Sequence, residues 1–177
     1  KGPIVKFMTP EELDELAKRG NMTEGDVMFF MCDKPAVAAK LAGDIRLKLG
    51  RDLNMIDKDV YKFCWIVDFP MFERDEETGD VIFSHNPFSM PQGGMDSLLN
   101  KKPEEVLAYQ YDLVCNGIEL ASGAVRNHDI EIMKKAFEIA GYEESELKKR
   151  FNALYTAFQY GAPPHAGMAP GIDRMVM

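Results

Sequence analysis

Tyr111-Asp112-Leu113-Val114-Cys115-Asn116-Gly117-Ile118-Glu119-Leu120 is the stretch on which the fold turns. Two apolar runs flank Asn-Gly, the dipeptide that most readily supplies the two left-handed residues of a type I′ turn, so the segment reads as an antiparallel hairpin. A two-residue loop fixes the register. Cys115 stands opposite Ile118, Val114 opposite Glu119, and Leu113 opposite Leu120. Asp112 and Glu119 then share one face as a diagonal pair roughly 7–8 Å apart.

Outward from this hairpin, Phe63-Cys64-Trp65-Ile66-Val67-Asp68-Phe69 reads as a core strand stopped by Pro70. Residues 71–73 and 81–84 form a second hairpin around the polar turn 74–80. The Pro/Gly-rich segment 85–94 is too long for a bare turn and is a candidate functional loop. Helices are predicted at 129–140, stopped by Gly141, and at about 145–160, stopped by Gly161. Nearer the start, residues 2–8 alternate enough for a strand. Thr9, Pro10 and Glu12 then make a capping box with proline at the first helical position. Residues 27–31 read as a short buried strand, and Val37, Leu41, Ile45 and Leu49 as a helix closed by Gly50. The fold class is α+β with a mainly antiparallel sheet.

Composition narrows the function. The 177 residues are 46% hydrophobic and 28% charged, as in a folded globular chain rather than a disordered tail or a collagen. The longest apolar run, residues 27–32, is far short of the roughly 20 a membrane span needs. Charged residues number 21 basic against 29 acidic, a net −8, which disfavours a purely electrostatic grip on nucleic acid. Cys32, Cys64 and Cys115 form no CxxC pair, so a zinc ribbon is unsupported; they read as buried thiols in a reducing compartment.

Two carboxylates converging on one sheet face repel unless a cation or water separates them. Asp112 and Glu119 are therefore either a Mg²⁺ site beside a polyphosphate or a solvated face. Strict alternation puts Arg126 on the opposite face; a bulge at Ser122-Gly123 would return it, and a guanidinium fork there suits a carboxylate ligand. Residues 162–174 form a glycine-spaced entry to a helix, in which Gly167 and Gly171 permit close backbone approach and Arg174 can meet phosphate or a base.

Together these stretches resemble one family: the 63–73 run, His85-Asn86-Pro87-Phe88, the 111–119 hairpin, Arg126-Asn127-His128, Gly161-Ala162-Pro163-Pro164-His165-Ala166-Gly167 and Gly171-Ile172-Asp173-Arg174, in this order. They are similar to bacterial-type aspartyl-tRNA synthetases of class II. The resemblance implies that residues 59–177 are the C-terminal part of the catalytic domain, with an antiparallel sheet flanked by helices. Residues 1–58 resemble the end of its GAD insertion domain. It implies ATP contacts at Gly171, Ile172, Asp173 and Arg174, with Glu119 as the ATP–Mg²⁺ carboxylate, Asp112 as a metal-side acid, and Glu119 and Arg174 as the catalytic pair. Arg126 would hold the side-chain carboxylate of L-aspartate, so the strand bulge is expected, and His85 would serve the aspartate side from a substrate-closing loop. The partners implied are L-aspartate, ATP and tRNA, for a cytoplasmic homodimer with no membrane association.

Asn86 stands where many members have a second histidine and Ala121-Ser122-Gly123 where many have three glycines, both of which the resemblance puts at the border of the substrate pocket, and Pro170 before Gly171 is a further variation. A GAD-type module of a tRNA-dependent amidotransferase and an asparaginyl-tRNA synthetase are the alternatives. The first has no use for Glu119, Arg126 and the 171–174 motif; the second lacks the GAD-like segment. The resemblance also places the anticodon-binding OB domain and the first two class-defining motifs outside residues 1–177. These residues alone are therefore expected not to aminoacylate, and ATP–pyrophosphate exchange catalysed by the isolated chain would overturn that expectation.

Overall fold

The structure is a computed structural model describing residues 2–57 and 59–176. Lys1, Met177 and Lys58, the last residue of the expected first domain, lie outside the described residues. The chain divides into two units, Lys1–Asp59 and Val60–Met177.

In the first unit the capping box forms as read. Thr9 Oγ1 accepts the Glu12 N–H at 3.3 Å while Glu12 Oε2 accepts the Thr9 N–H at 2.8 Å, opening α1 (Pro10–Arg19). The second helix, α2 (Pro35–Asp52), continues through Gly50 and ends near Asn54, whose φ is 53°. Neither expected strand is present. Val5–Phe7 is a short 3₁₀ turn, and residues 27–31 remain unpaired with Val27, Phe29 and Phe30 exposed. A strand needs a ladder partner for its N–H and C=O groups, and no described residue of this unit supplies one. Nor is any described residue of the unit buried.

The second unit holds the sheet. β1 (Phe63–Pro70) is followed by the hairpin β2 (Phe72–Arg74) and β3 (Val81–Phe83), then by α3 (Gly94–Asn100). β4 (Leu107–Cys115) and β5 (Ile118–Val125) flank Asn116 and Gly117, whose φ values of 50° and 83° are those of the expected turn. Three helices follow: α4 (Ile130–Ile139), α5 (Glu144–Arg150) and α6 (Asn152–Gln159). β6 (Ala166–Pro170) and α7 (Ile172–Val176) come last. The main sheet runs β1-β4-β5-β6, antiparallel throughout.

Several sequence expectations change here. β1 is an edge strand with Phe63, Trp65, Ile66 and Val67 exposed, not a core strand. The helix expected at about 145–160 breaks at Phe151, whose φ is −126°. Its ring packs edge-on against Phe88 at 4.9 Å and Phe137 at 6.0 Å, so tertiary packing overrides helical continuity. α3 and β6 are additions to the sequence reading. β6 is Ala/Gly-rich with little strand propensity, and pairing to β5 creates it. Of the thiols, only Cys115 is buried; Cys32 and Cys64 are exposed.

The core lies to one side of the sheet. Met71, Phe72, Leu98, Val106 and Ala136 form one cluster, and Met133, Phe137, Leu147, Tyr155 and Phe158 another. Burial of each large side chain stabilises by about 1.5–3 kcal/mol. Phe83 packs against both clusters, and Phe88, from the 85–94 loop, packs on the core ring Phe137 at 5.8 Å. The helices thereby anchor that loop while the sheet surface beside it stays open.

Buried Tyr155 donates its hydroxyl to Glu144 Oε1 at 2.5 Å, and Lys148 meets the same oxygen at 2.9 Å. The tyrosine bond first, then Lys148 and the more distant Lys134, hold the Glu144 carboxyl down at about 2, from an ordinary 4.5. A carboxyl that titrates lower when folded stabilises the fold above about 4.5 and loses that contribution as pH falls toward 2. Tyr155→Phe removes the largest cause. In an NMR carboxyl titration it should move Glu144 back toward its ordinary value and flatten that segment of the acid-unfolding curve; an unmoved Glu144 would contradict the assignment.

Candidate functional site

One extra residue in β5 organises the site. Val114 pairs with Glu119 and Leu113 with Ala121, so Leu120 is the unpaired residue of a bulge. The sequence places the bulge at Ser122-Gly123, but both of those lie in regular ladder, Ser122 opposite Asp112 and Gly123 opposite Tyr111. The bulge shifts the alternation by one. Asp112, Glu119, Ser122, Ala124 and Arg126 thus share one sheet face.

The bulge also receives the final segment. Leu120 O accepts the Gly171 N–H at 2.8 Å, which seats the start of α7 against β5. A Cβ on Gly171 would come within 3.5 Å of that same carbonyl. From α7, Arg174 reaches back across the strand: its Nη1 donates to Glu119 O at 2.8 Å and to Glu119 Oε1 at 3.2 Å. Both side chains are about half exposed, so the pair is worth little as stability and more as orientation. With Nη1 held, the rest of the guanidinium fork is what Arg174 can offer a phosphate or base. Ile172 and Asp173 form the first turn of α7 beside it, both exposed.

Arg126 opens the other end of this face. Its N–H donates to His165 O at 2.9 Å, Ser89 bridges it from the loop, and its guanidinium carbon lies 5.6 Å from the Phe88 ring centre. It lines a cavity of about 360 Å³ with Asn86, Ser122, Ala124, His165 and the β6 backbone. Such a concave basic hollow suits a small carboxylate. His85 is not among the cavity's walls; its Nδ1 lies 2.7 Å from Ser84 Oγ and its ring 5.1 Å from that of Phe69. The residues in contact with the hollow are instead Asn86 and Ser122, the two departures that the resemblance puts at the pocket's border, and His165, to which the sequence assigns no role. No local signal exposes His165, because it meets Arg126 through backbone pairing across 39 positions.

Asp112 is half-buried on the Glu119 face. No group of three or more His, Cys, Asp or Glu side chains forms a ready metal cage among the described residues. Two hard oxygen ligands do fit Mg²⁺, which keeps several waters and completes its shell with phosphate. A larger hollow of about 620 Å³ opens beside α4 and α5, but its lysines are already paired, Lys134 with Glu131 at 2.9 Å and Lys135 with Glu138 at 3.0 Å, and Glu143 and Glu144 leave it acidic.

Residues 7–177 match the family model of class II tRNA synthetases (D, K and N). The aspartate–tRNA(Asp/Asn) ligase of Rickettsia africae is 59% identical across the whole chain, which covers 30% of that protein. The enzyme of the same name from Paramagnetospirillum magneticum is 58% identical, again across the whole chain, and 20% of it is covered. Among solved structures, an aspartyl-tRNA synthetase from Entamoeba histolytica aligns over 96% of this chain and 27% of its own at 24% identity, with a TM-score of 0.45. The chain thus spans about a third or less of the length of these curated relatives.

Gly123 makes the β5–β6 junction sensitive. Tyr111 Oη donates across it to Gly167 O at 3.1 Å, and a Cβ there would stand 2.5 Å from that carbonyl and 2.9 Å from Met168 Cβ. Gly123→Ala must therefore push β6 away, at a cost of about 1–3 kcal/mol for overpacking. Urea unfolding should show that loss, and a variant as stable as the parent would contradict the packing described.

Proposed function

Because the chain belongs to the class II tRNA synthetases of the D, K and N group, we propose that it is the site-bearing portion of an aspartate–tRNA ligase. Residues 59–177 are the C-terminal part of the catalytic domain and residues 1–58 the end of a GAD-type insertion domain. The observation that carries this reading is the shared face created by the Leu120 bulge. It aligns Asp112, Glu119 and Arg126, with Arg174 bonded to Glu119.

In the proposed reaction the α-carboxylate of L-aspartate attacks the α-phosphorus of ATP and pyrophosphate leaves, giving aspartyl-adenylate. A ribose hydroxyl at the tRNA terminus then takes the aspartyl group and AMP leaves. The carboxylate is already a competent nucleophile, so the chain's residues contribute positioning and charge neutralisation. Arg126 holds the side-chain carboxylate in the cavity. Arg174 meets ATP from α7, with Gly171 allowing the backbone to approach and Ile172 and Asp173 completing the turn. Asp112 and Glu119 would hold Mg²⁺, which when bound neutralises phosphate charge. His85, outside the hollow at the start of the 85–94 loop, would border the aspartate side rather than contact the carboxylate. Arg126 also selects: asparagine's amide would leave the guanidinium fork short of an acceptor.

The full protein would act in the cytoplasm as a homodimer, with the main tRNA grip outside these acidic 177 residues. Its relatives' names extend the tRNA substrates to both aspartate and asparagine tRNA. Among the described residues no helix is long and apolar enough to cross a membrane.

Aspartate-dependent ATP–pyrophosphate exchange by the full-length protein is the test. Arg126→Lys keeps the charge and loses the fork, so kcat/KM for aspartate should fall about 10–100-fold, the equivalent of one or two charged hydrogen bonds. Unchanged aspartate kinetics in that variant, or exchange that runs equally well with asparagine in the parent, would refute the proposal.

A further inference from the structure

The 85–94 loop is not built as a free flap. Met90 N–H donates to Val125 O at 2.8 Å, Tyr109 N–H to Met90 O at 2.9 Å, and Gln92 N–H to Leu107 O at 2.8 Å. From the other side, Asn127 N–H donates to Phe88 O at 2.8 Å. The segment is thus laced to the ends of β4 and β5 as an irregular extra strand. One carbonyl at its entrance gathers three donors: Asn86 O accepts from Ser89 N–H at 3.2 Å, Ser89 Oγ at 2.9 Å and Gln110 Nε2 at 3.3 Å. Ser89 is fully buried and Gln110 only 6% exposed.

Gln110 reaches that carbonyl through a second sheet irregularity. Val67 pairs with Tyr111 and Phe69 with Ala108, so Tyr109 and Gln110 of β4 stand against the single residue Asp68 of β1. Asp68 takes φ 60°, a left-handed conformation uncommon outside glycine, and Gln92 Nε2 holds its carboxylate at 2.7 Å. Gln110 itself is registered opposite Ala124, a wall of the Arg126 cavity. Its amide thus runs from the sheet to the loop beneath the hollow. Asn86 in turn commits Oδ1 to the Phe88 N–H at 2.9 Å, so the two N–H groups of Nδ2 are the donors it can offer a ligand in the cavity.

We infer that Gln110 is a positioning residue for the carboxylate pocket: it clasps Asn86 O and sets Asn86 in the wall of the Arg126 hollow before any ligand arrives. The inference rests on the proposed aspartate reading for the identity of the ligand, but the clasp itself does not. A preset wall lowers the ordering cost of binding, so its loss should appear in affinity for the amino acid and not for ATP.

Gln110→Met and Gln110→Glu keep the side chain's length and volume and remove the donor. In the full-length protein without ligand, amide hydrogen exchange at Ser89 should accelerate at least tenfold in both variants, while Met133 in α4 stays protected. In exchange kinetics the aspartate KM should rise about five- to tenfold with the ATP KM within twofold. Ser89→Ala removes a donor from the same carbonyl, so the double variant should fall short of the product of the single effects. Unchanged Ser89 protection, an unchanged aspartate KM, or equal rises in both KM values would each overturn the positioning role. A parent protein with no aspartate dependence would instead overturn the aspartate reading, with the hydrogen-exchange arm still deciding the clasp.

Discussion

The extra residue at Leu120 is the constraint on which the rest of the site depends. Without it, period-two alternation would put Glu119 and Arg126 on opposite faces of β5. With it, both sit beside Asp112 on one face, and the displaced Leu120 carbonyl becomes the acceptor that seats Gly171. A single backbone irregularity thus joins two ends of the candidate site, one basic and cavity-like around Arg126, the other acidic around Asp112 and Glu119. The Arg174 fork lands on the acidic end because α7 begins at the bulge.

Packing is distributed to leave that surface open. The large side chains collect between the β2–β3 hairpin, α3 and the helices α4–α6, away from the strands that carry the charged residues. Phe88 couples the two regions, touching Phe137 and Phe151 on the core side and standing near the Arg126 guanidinium on the other. Rigidity is thereby lent to an exposed site by a core that does not cover it. The acidic cluster is also compensated locally: Arg174 neutralises Glu119 within the chain, so a net charge of −8 does not make the site uniformly repulsive to phosphate.

Much of this was legible in local chemistry. Asn116-Gly117 determined a hairpin because so few dipeptides accept two left-handed residues, and the first two pairs of its register follow as read. Thr9 and Glu12 determined a helix start because their side chains satisfy each other's backbone donors. Reading failed where a partner was needed. Residues 27–31 have strand composition and no ladder, whereas residues 166–170 have poor strand composition and a ladder. Phe151 interrupts a helix for the sake of two aromatic rings far away in sequence.

By itself, the sequence determined the antiparallel α+β class, the hairpin at Asn116-Gly117 and the residue types that gather on the open face, since these rest on interactions between near neighbours. Only the tertiary structure decided that the bulge falls at Leu120 and not at Ser122-Gly123. It alone placed His165 in the Arg126 hollow with His85 outside it, and it alone turned Arg174 back onto Glu119. The reason is physical: Gly123 must stay in register to let Tyr111 cross to Gly167, so the extra residue is taken up three positions earlier, where Gly171 can pair with the carbonyl it frees.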